Sequence, residues 1–234
     1  MKLIFIRHGD PDYKNDTLTE RGWKEARSLS KRVAKWDVDK FYCSPLGRAR
    51  DTAGVSLKLL GREAEIKPWL REFYADVVDP DTGKRRIPWD LFPSYWTKER
   101  DLYDKDMWLD HQLMKTGNVK EEYARVADGL DEILSEHGYK RCGNYYITEK
   151  GNDKTLVFFC HLGVQFVMLS HLFGISAPLI WQNFFVAPTS VTELVTEERI
   201  KGEVCFRLKR LGDISHLYLD GLEPSDSGFF NEIY

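Results

Sequence analysis

The chain has 234 residues, with 34 Lys and Arg against 37 Asp and Glu, a formal net charge of −3, and 42% hydrophobic and 30% charged residues. This is the composition of a folded globular protein, and it has no basic excess to neutralise the phosphates of a nucleic acid. The apolar residues 3–6 are too few for a signal-peptide core, and no run approaches the roughly 18 apolar residues that span a bilayer. Neither nucleic acid nor membrane is an expected partner, and the chain is read as cytoplasmic. Cys43, Cys142, Cys160 and Cys205 form no CxxC pair, so reduced thiols are expected rather than a zinc site or a disulfide framework.

In chain order, KLIFIR reads as a buried strand ending at Arg7 or His8, followed by the turn formers Gly9, Asp10 and Pro11. A helix is expected from Thr19, whose hydroxyl caps it, with Leu18 and Trp23 as a hydrophobic staple and Trp23, Ala26, Leu29 and Val33 facing inward. KFYC is a second strand. Ser44 and Pro45 then read as N-cap and first residue of a helix whose inner face is Ala49, Ala53, Leu57 and Leu60. Residues 119–137 form an amphipathic helix with Tyr123, Val126, Leu130, Ile133 and Leu134 inward and Gly138 beyond its end. TLVFFC is an almost wholly apolar strand, residues 163–173 are helical, and SVTELVT and EVCFRLKRL are the closing strands.

Strands that alternate with helices and read as continuous apolar runs predict an α/β sheet covered on both faces, whose ligands bind beyond the carboxyl ends of the strands. The residues that follow the strands are Arg7-His8-Gly9, Ser44-Pro45-Leu46-Gly47-Arg48 and His161-Leu162-Gly163. Two histidines and two arginines therefore meet at one sheet edge. Arginine presents a planar fork of donors that fits phosphate oxygens, helix N-termini add backbone N–H groups, and a neutral histidine can act as a nucleophile toward phosphorus. A lone histidine after a strand is more often structural, so the inference rests on the cluster.

These residues resemble the histidine phosphatase superfamily, the phosphoglycerate mutase-like branch 1. Its RHG motif with a Leu-Thr helix start is similar to Arg7-His8-Gly9 with Leu18-Thr19-Glu20-Arg21-Gly22. Its second motif resembles Ser44-Pro45-Leu46-Gly47-Arg48-Ala49 with Thr52-Ala53, and its His-x-Gly resembles His161-Leu162-Gly163. The resemblance implies a three-layer sandwich with a mostly parallel central sheet, helices on both faces and a cap inserted at about residues 73–117 of a single domain. It implies His8 as the nucleophile that becomes phosphohistidine, with Arg7, Arg48 and His161 binding the phosphoryl oxygens. Glu72, in Leu70-Arg71-Glu72, is the implied acid, and Asp76 is the nearest substitute. No metal and no cofactor are expected. The implied partner is a small phosphorylated substrate, and a homodimer is allowed.

The chain departs from the family pattern in several places. Leu162 stands where a glycine is common and is expected to narrow the pocket. Residues 10–16 lack the Trp-Asn pair common in mutases; Asn15 is the residue there able to offer a phosphate hydrogen bond and is not counted among the site residues. Glu72 is followed by Phe73-Tyr74-Ala75 rather than by a basic residue for a second charged group, which favours a phosphatase. A mutase-type phosphoryl transferase is the alternative, and a non-catalytic phosphate-binding module is the second alternative.

The aromatics Phe73, Tyr74, Trp89, Phe92, Tyr95, Trp96, Tyr103 and Trp108 form either a lid over a flat leaving group or a small core of their own. Lys84, Arg85 and Arg86 either hold an anionic leaving group or form a solvated turn. Asp76, Asp79 and Asp81 read as a solvated turn rather than a metal site. His111 and His137 are expected to be exposed, and His171 to lie on a helix face. Thr189 and Ser190 are expected beside the site, and His216 has no assigned role.

Overall fold

A computed structural model describes residues 1–230. They divide into two compact units. The first contains Met1–Glu72, Glu149–Leu162 and the described residues from Phe185 onward, and the second contains Phe73–Thr148 and Gly163–Phe184.

The first unit is built on six strands: β1 (Lys2–Arg7), β2 (Lys40–Cys43), β3 (Glu65–Ile66), β4 (Thr155–Cys160), β5 (Val191–Ile200) and β6 (Glu203–Asp213). Their order is β3-β2-β4-β1-β5-β6. The pairings from β3 to β1 are parallel, and β5 and β6 are added antiparallel. The fold is α/β as expected. Continuous apolar runs make β1 and β4 buried on both faces. On one face Ile4, Ile6, Phe41, Cys43, Val157 and Phe159 pack against Leu29, Val33, Ala49 and Ala53 of two helices, α1 (Glu20–Val33) and α2 (Gly47–Leu60). On the other face Leu3, Phe5, Tyr42, Leu156 and Phe158 are equally buried. Phe158 meets Phe5 edge-on at 5.4 Å and stacks on Tyr42 at 5.0 Å.

Thr19 caps α1 as its sequence position requires, accepting the Gly22 N–H. Such a cap is worth about 1 kcal/mol. The buried stripe differs in part from the expected one, because Trp23 is only half-buried while Gly22, Glu25 and Ser28 turn inward. Helix α2 starts later than Ser44-Pro45 suggests: its N-cap is Leu46 and its first residue Gly47. The Ser44 hydroxyl accepts the Leu46 N–H and turns to a different partner, described below.

In the second unit, α3 (Val119–Glu136) buries Val126, Leu130, Ile133 and Leu134. It ends in a left-handed turn at Gly138, with the Gly138 and Tyr139 N–H groups returning to the carbonyls of Ser135 and Leu134. Residues 73–117 belong to this unit together with α3, a hairpin (Lys140–Cys142 with Tyr145–Ile147), α5 (Ala177–Asn183) and most of α4 (Leu162–Phe173). Many of its aromatics make a local core around Trp181, whose ring lies 5.1 Å from Phe73, 5.9 Å from Trp89 and 5.7 Å from Trp108. Tyr74 and Tyr103 stay exposed.

Three local expectations need correction. Arg86 is no solvated cation: it is buried, with Nε 3.1 Å from Asp79, Nη1 2.9 Å from Asp90 and its guanidinium over Phe92. Only Lys84 and Arg85 of that triplet are exposed. Asp79 is buried too, and its carboxylate also closes the turn by accepting the Asp81 and Thr82 N–H groups. His111 is likewise buried, accepting the Leu113 N–H at Nδ1 and facing Glu99 from Nε2 at 3.0 Å. Among the described residues no helix is long and apolar enough to cross a membrane.

Glu25 is the cost of the inward face of α1. Its Oε2 accepts the Asp10 N–H at 2.8 Å, Arg21 Nε lies 3.4 Å from Oε1, and burial pushes the carboxyl up from 4.5 to about 7. A raised pKa means that the folded state holds the proton more tightly, so this stabilisation is complete below about 4.5 and lost as pH rises through about 7. Glu25→Gln keeps the acceptor and removes the charge. It should raise the melting temperature at about pH 8, by on the order of 2–3 kcal/mol of stability, with the two proteins converging near pH 4.5. Thermal unfolding across that range checks it, and a pH-independent difference would contradict it.

Candidate active site

The parallel register brings three strand ends to one level: Arg7 lies beside Cys160, and Cys43 beside Phe159. The next residues along each strand are His8, Ser44 and His161, so the sheet itself collects the expected cluster. All four residues of that cluster are buried: Arg7 is 2% exposed, His8 1%, Arg48 5% and His161 0%. The His8 and His161 ring centroids are 5.1 Å apart.

His8 is held by its own neighbour. Its Nδ1 lies 2.7 Å from the Gly9 carbonyl oxygen, and a carbonyl only accepts, so Nδ1 carries the proton and Nε2 carries the lone pair. Burial, reinforced by Arg7 and Arg48, holds the imidazole well below its usual pKa. The ring is therefore neutral at ordinary pH. Gly9 donates its N–H to Thr52 Oγ1, and that hydroxyl donates to the Arg48 carbonyl, which ties the end of β1 to α2. A side chain at position 9 would place Cβ 2.9 Å from the Gly22 carbonyl oxygen, so only glycine allows this approach.

The two arginines are positioned by different parts of the unit. Arg7 donates to the carbonyls of Val186 and Ser227, each at 2.7 Å, and lies over the Phe185 ring. Tyr13 also acts electrostatically on Arg7. Arg7 Nε is buried without a protein partner. Arg48, in the first turn of α2, donates from Nη1 to Asp16 Oδ1 at 2.7 Å and lies under the Tyr13 ring. Asp16 Oδ2 accepts the Gly47 N–H at 2.6 Å.

His161 Nε2 is 2.7 Å from Ser44 Oγ. Donation of the Ser44 proton to Nε2 is compatible with the same oxygen accepting the Leu46 N–H. In that tautomer His161 carries its proton on Nδ1, which is buried and has no protein partner. Burial, then His8, Arg48 and Arg7, lower its pKa well below the usual imidazole range. Arg7 Nε and His161 Nδ1 thus leave two buried donor positions unmet by protein, an arrangement suited to oxyanion oxygens.

Glu72 is half-buried, and its charge acts on Arg7 and on the buried Cys160 thiol, which places it within electrostatic reach of the cluster. Asp76, the expected substitute, is exposed in the second unit. Asn15 is exposed and spends its amide on Asp12 at 2.7 Å.

The sequence reading left Tyr13, Asp16 and the hydrogen-bonding role of Ser44 unassigned. Thr189, expected beside the site, forms a brace behind it with His216, which the sequence reading left without a role. Thr189 sits in the left-handed region at φ 57°, donates its N–H to the carbonyls of Arg7 and His8, and has its hydroxyl 3.2 Å from His216 Nε2. Burial lowers the His216 pKa to about 4. The only early signal for Asp16 was its place in a short polar loop directly after RHG.

Comparison with known proteins gives the family and supports the fold. The family profile of the histidine phosphatase superfamily (branch 1) matches residues 3–206. A Schizosaccharomyces pombe protein named as a probable phosphatase is 26% identical over 231 residues, 93% of this chain and 95% of its own. Among solved structures, a phosphoserine phosphatase mutant from Entamoeba histolytica, in complex with phosphoserine, aligns with a TM-score of 0.62 at 19% identity. That alignment covers 92% of this chain and 98% of the other. A mycobacterial glucosyl-3-phosphoglycerate phosphatase gives a TM-score of 0.61 at 18% identity, covering 90% and 98%. The chain belongs to the histidine phosphatase superfamily, branch 1, and is an enzyme of that family.

The Ser44 hydroxyl holds His161 Nε2 at 2.7 Å, so Ser44→Ala should lower kcat/KM roughly tenfold, the scale of one lost buried hydrogen bond. Steady-state hydrolysis of an aryl phosphate measures it, and unchanged kinetics would separate Ser44 from the site's chemistry.

Proposed function

We propose that this enzyme is a phosphatase that hydrolyses a small phosphomonoester without a metal ion, through a phosphohistidine at His8. The observation that carries the reading is the Nδ1 contact to the Gly9 carbonyl. It leaves a neutral imidazole with its Nε2 lone pair free to attack, in a buried cluster that also holds Arg7 and Arg48.

In the first step His8 Nε2 forms a bond to phosphorus and the phosphorus–oxygen bond to the leaving group breaks. Glu72, in its protonated form, gives its proton to the departing oxygen. In the second step water attacks phosphorus, the phosphorus–nitrogen bond breaks, and the Glu72 carboxylate takes the proton from water. His8 returns to its neutral form and inorganic phosphate leaves. Arg7, Arg48 and His161 bind the phosphoryl oxygens throughout. A loose phosphoryl-transfer transition state is stabilised mainly by such fixed positive charge, so the two arginines supply what a metal supplies elsewhere.

Transfer to water is favoured over return to a phosphoglycerate because Phe73-Tyr74-Ala75 offers no cation for a second charged group. The S. pombe relative, matched over most of both chains, carries a phosphatase name.

Phosphate release from an aryl phosphate should persist in excess chelator and be abolished in His8→Ala, which should still bind inorganic phosphate. Activity above a few per cent of wild type in that variant would remove His8 as nucleophile. Glu72→Gln should slow alkyl phosphates by roughly a hundredfold while sparing nitrophenyl-type esters, whose leaving oxygen needs little protonation. Equal losses on both ester classes would place the acid elsewhere.

A further inference from the structure

The residues between β1 and α1 form a small, well-braced loop. Pro11 pairs with Leu18 and Asp12 with Thr17, the Asp12 carboxylate accepts the N–H groups of Lys14 and Asn15, and Thr17 bonds to Asp51. This bracing fixes Asp16 against the N-terminus of α2. A Cβ at position 47 would lie 1.9 Å from the Asp16 carbonyl oxygen, so the contact requires Gly47. Asp16 itself is left-handed, at φ 49°, a conformation that Asp and Asn tolerate better than most residues.

The result is a carboxylate in an anion site. Asp16 takes a guanidinium donor of Arg48 and the Gly47 N–H, donors of the kind that phosphoryl oxygens use. The Arg48 side chain is 6% exposed and that of Asp16 is 43% exposed, so the carboxylate paired with the buried arginine is itself open to solvent. Lys14, the one cation of the loop, is exposed.

Resting on the phosphatase reading above, we propose that Asp16 is a specificity-determining residue of the substrate pocket. Its charge turns away phosphomonoesters that carry a second anionic group beside the phosphoryl group. The substrate class is therefore a phosphomonoester whose leaving group is neutral or cationic. A second phosphate or carboxylate within a Debye length meets Asp16 unpaired, whereas an ammonium group gains by the same interaction.

The test compares O-phosphoethanolamine, glycerol 3-phosphate and 3-phosphoglycerate, which place a cationic, a neutral and an anionic group near the phosphate. Wild type should favour the first two. Asp16→Asn keeps an acceptor for the Gly47 N–H and tolerates the same backbone. It should raise kcat/KM for 3-phosphoglycerate relative to phosphoethanolamine by roughly five- to tenfold, and the wild-type preference should shrink at high salt. Asp16→Gly, also compatible with positive φ, is the second variant and should shift the ratio in the same direction.

A ratio unchanged in both variants, or an equal loss on all three esters, would overturn the proposal and leave Asp16 with a purely structural role. The same ratio can be read without turnover from calorimetric binding of 3-phosphoglycerate and phosphoethanolamine to His8→Ala, with and without Asp16→Asn. If no ester is hydrolysed yet the binding ratio shifts, the phosphatase reading fails and the charge selection stands. If hydrolysis proceeds and neither ratio shifts, the reverse holds.

Discussion

Everything at the site depends on the register of the parallel strands. Because β4 pairs with β1 on one side and β2 on the other, with Arg7 level with Cys160 and Cys43 level with Phe159, three strands end at the same height. In a parallel sheet all carboxyl ends point one way, so residues from distant parts of the chain leave the sheet side by side. A one-residue slip of β4 would turn its side chains to the opposite faces and carry His161 away from Ser44. The apolar runs that make the sheet fold are thus also what assembles the chemistry.

The second constraint is electrostatic. Two guanidinium groups and two imidazoles are withdrawn from water within one cluster, and charge in such surroundings is costly unless it is paired. The protein meets this in two ways. Both histidines stay neutral because burial and the neighbouring arginines disfavour their charged forms. The arginines are held by partial or full negative charge: carbonyl oxygens of Val186 and Ser227 for Arg7, and the Asp16 carboxylate for Arg48. The direct partners of Arg7 are neutral carbonyls, with Glu72 and Glu25 acting on it from farther away, whereas a carboxylate is bonded directly to Arg48. This difference makes the loop after β1 a place where charge preference can be set.

Support for the site comes from residues with no reactive role. Thr189 accepts an unfavourable backbone conformation so that one N–H can reach the carbonyls of both Arg7 and His8, and His216 braces the Thr189 hydroxyl from behind. Glycine at positions 9 and 47 permits backbone approaches that a Cβ would block. These positions fix the geometry of the cluster.

The sequence alone determined the α/β architecture, the three strand ends and the gathering of Arg7, His8, Arg48 and His161 beyond them, because apolar runs and short motifs are local signals that need no knowledge of the rest of the chain. It also identified Thr19 as a cap, since cap chemistry is decided within one turn. It misjudged Ser44, read as a helix cap, because a hydroxyl offers itself equally to a backbone N–H and to a distant imidazole. It misjudged Arg86 and His111, which look like surface residues until the fold supplies Asp79, Asp90 and Glu99 as partners. The role of Asp16, the contacts of Thr189 and the ring orientation of His8 and His161 were decided only by tertiary structure. Each depends on hydrogen bonds whose geometry is set when separate segments are packed together, and no spacing along the chain encodes them.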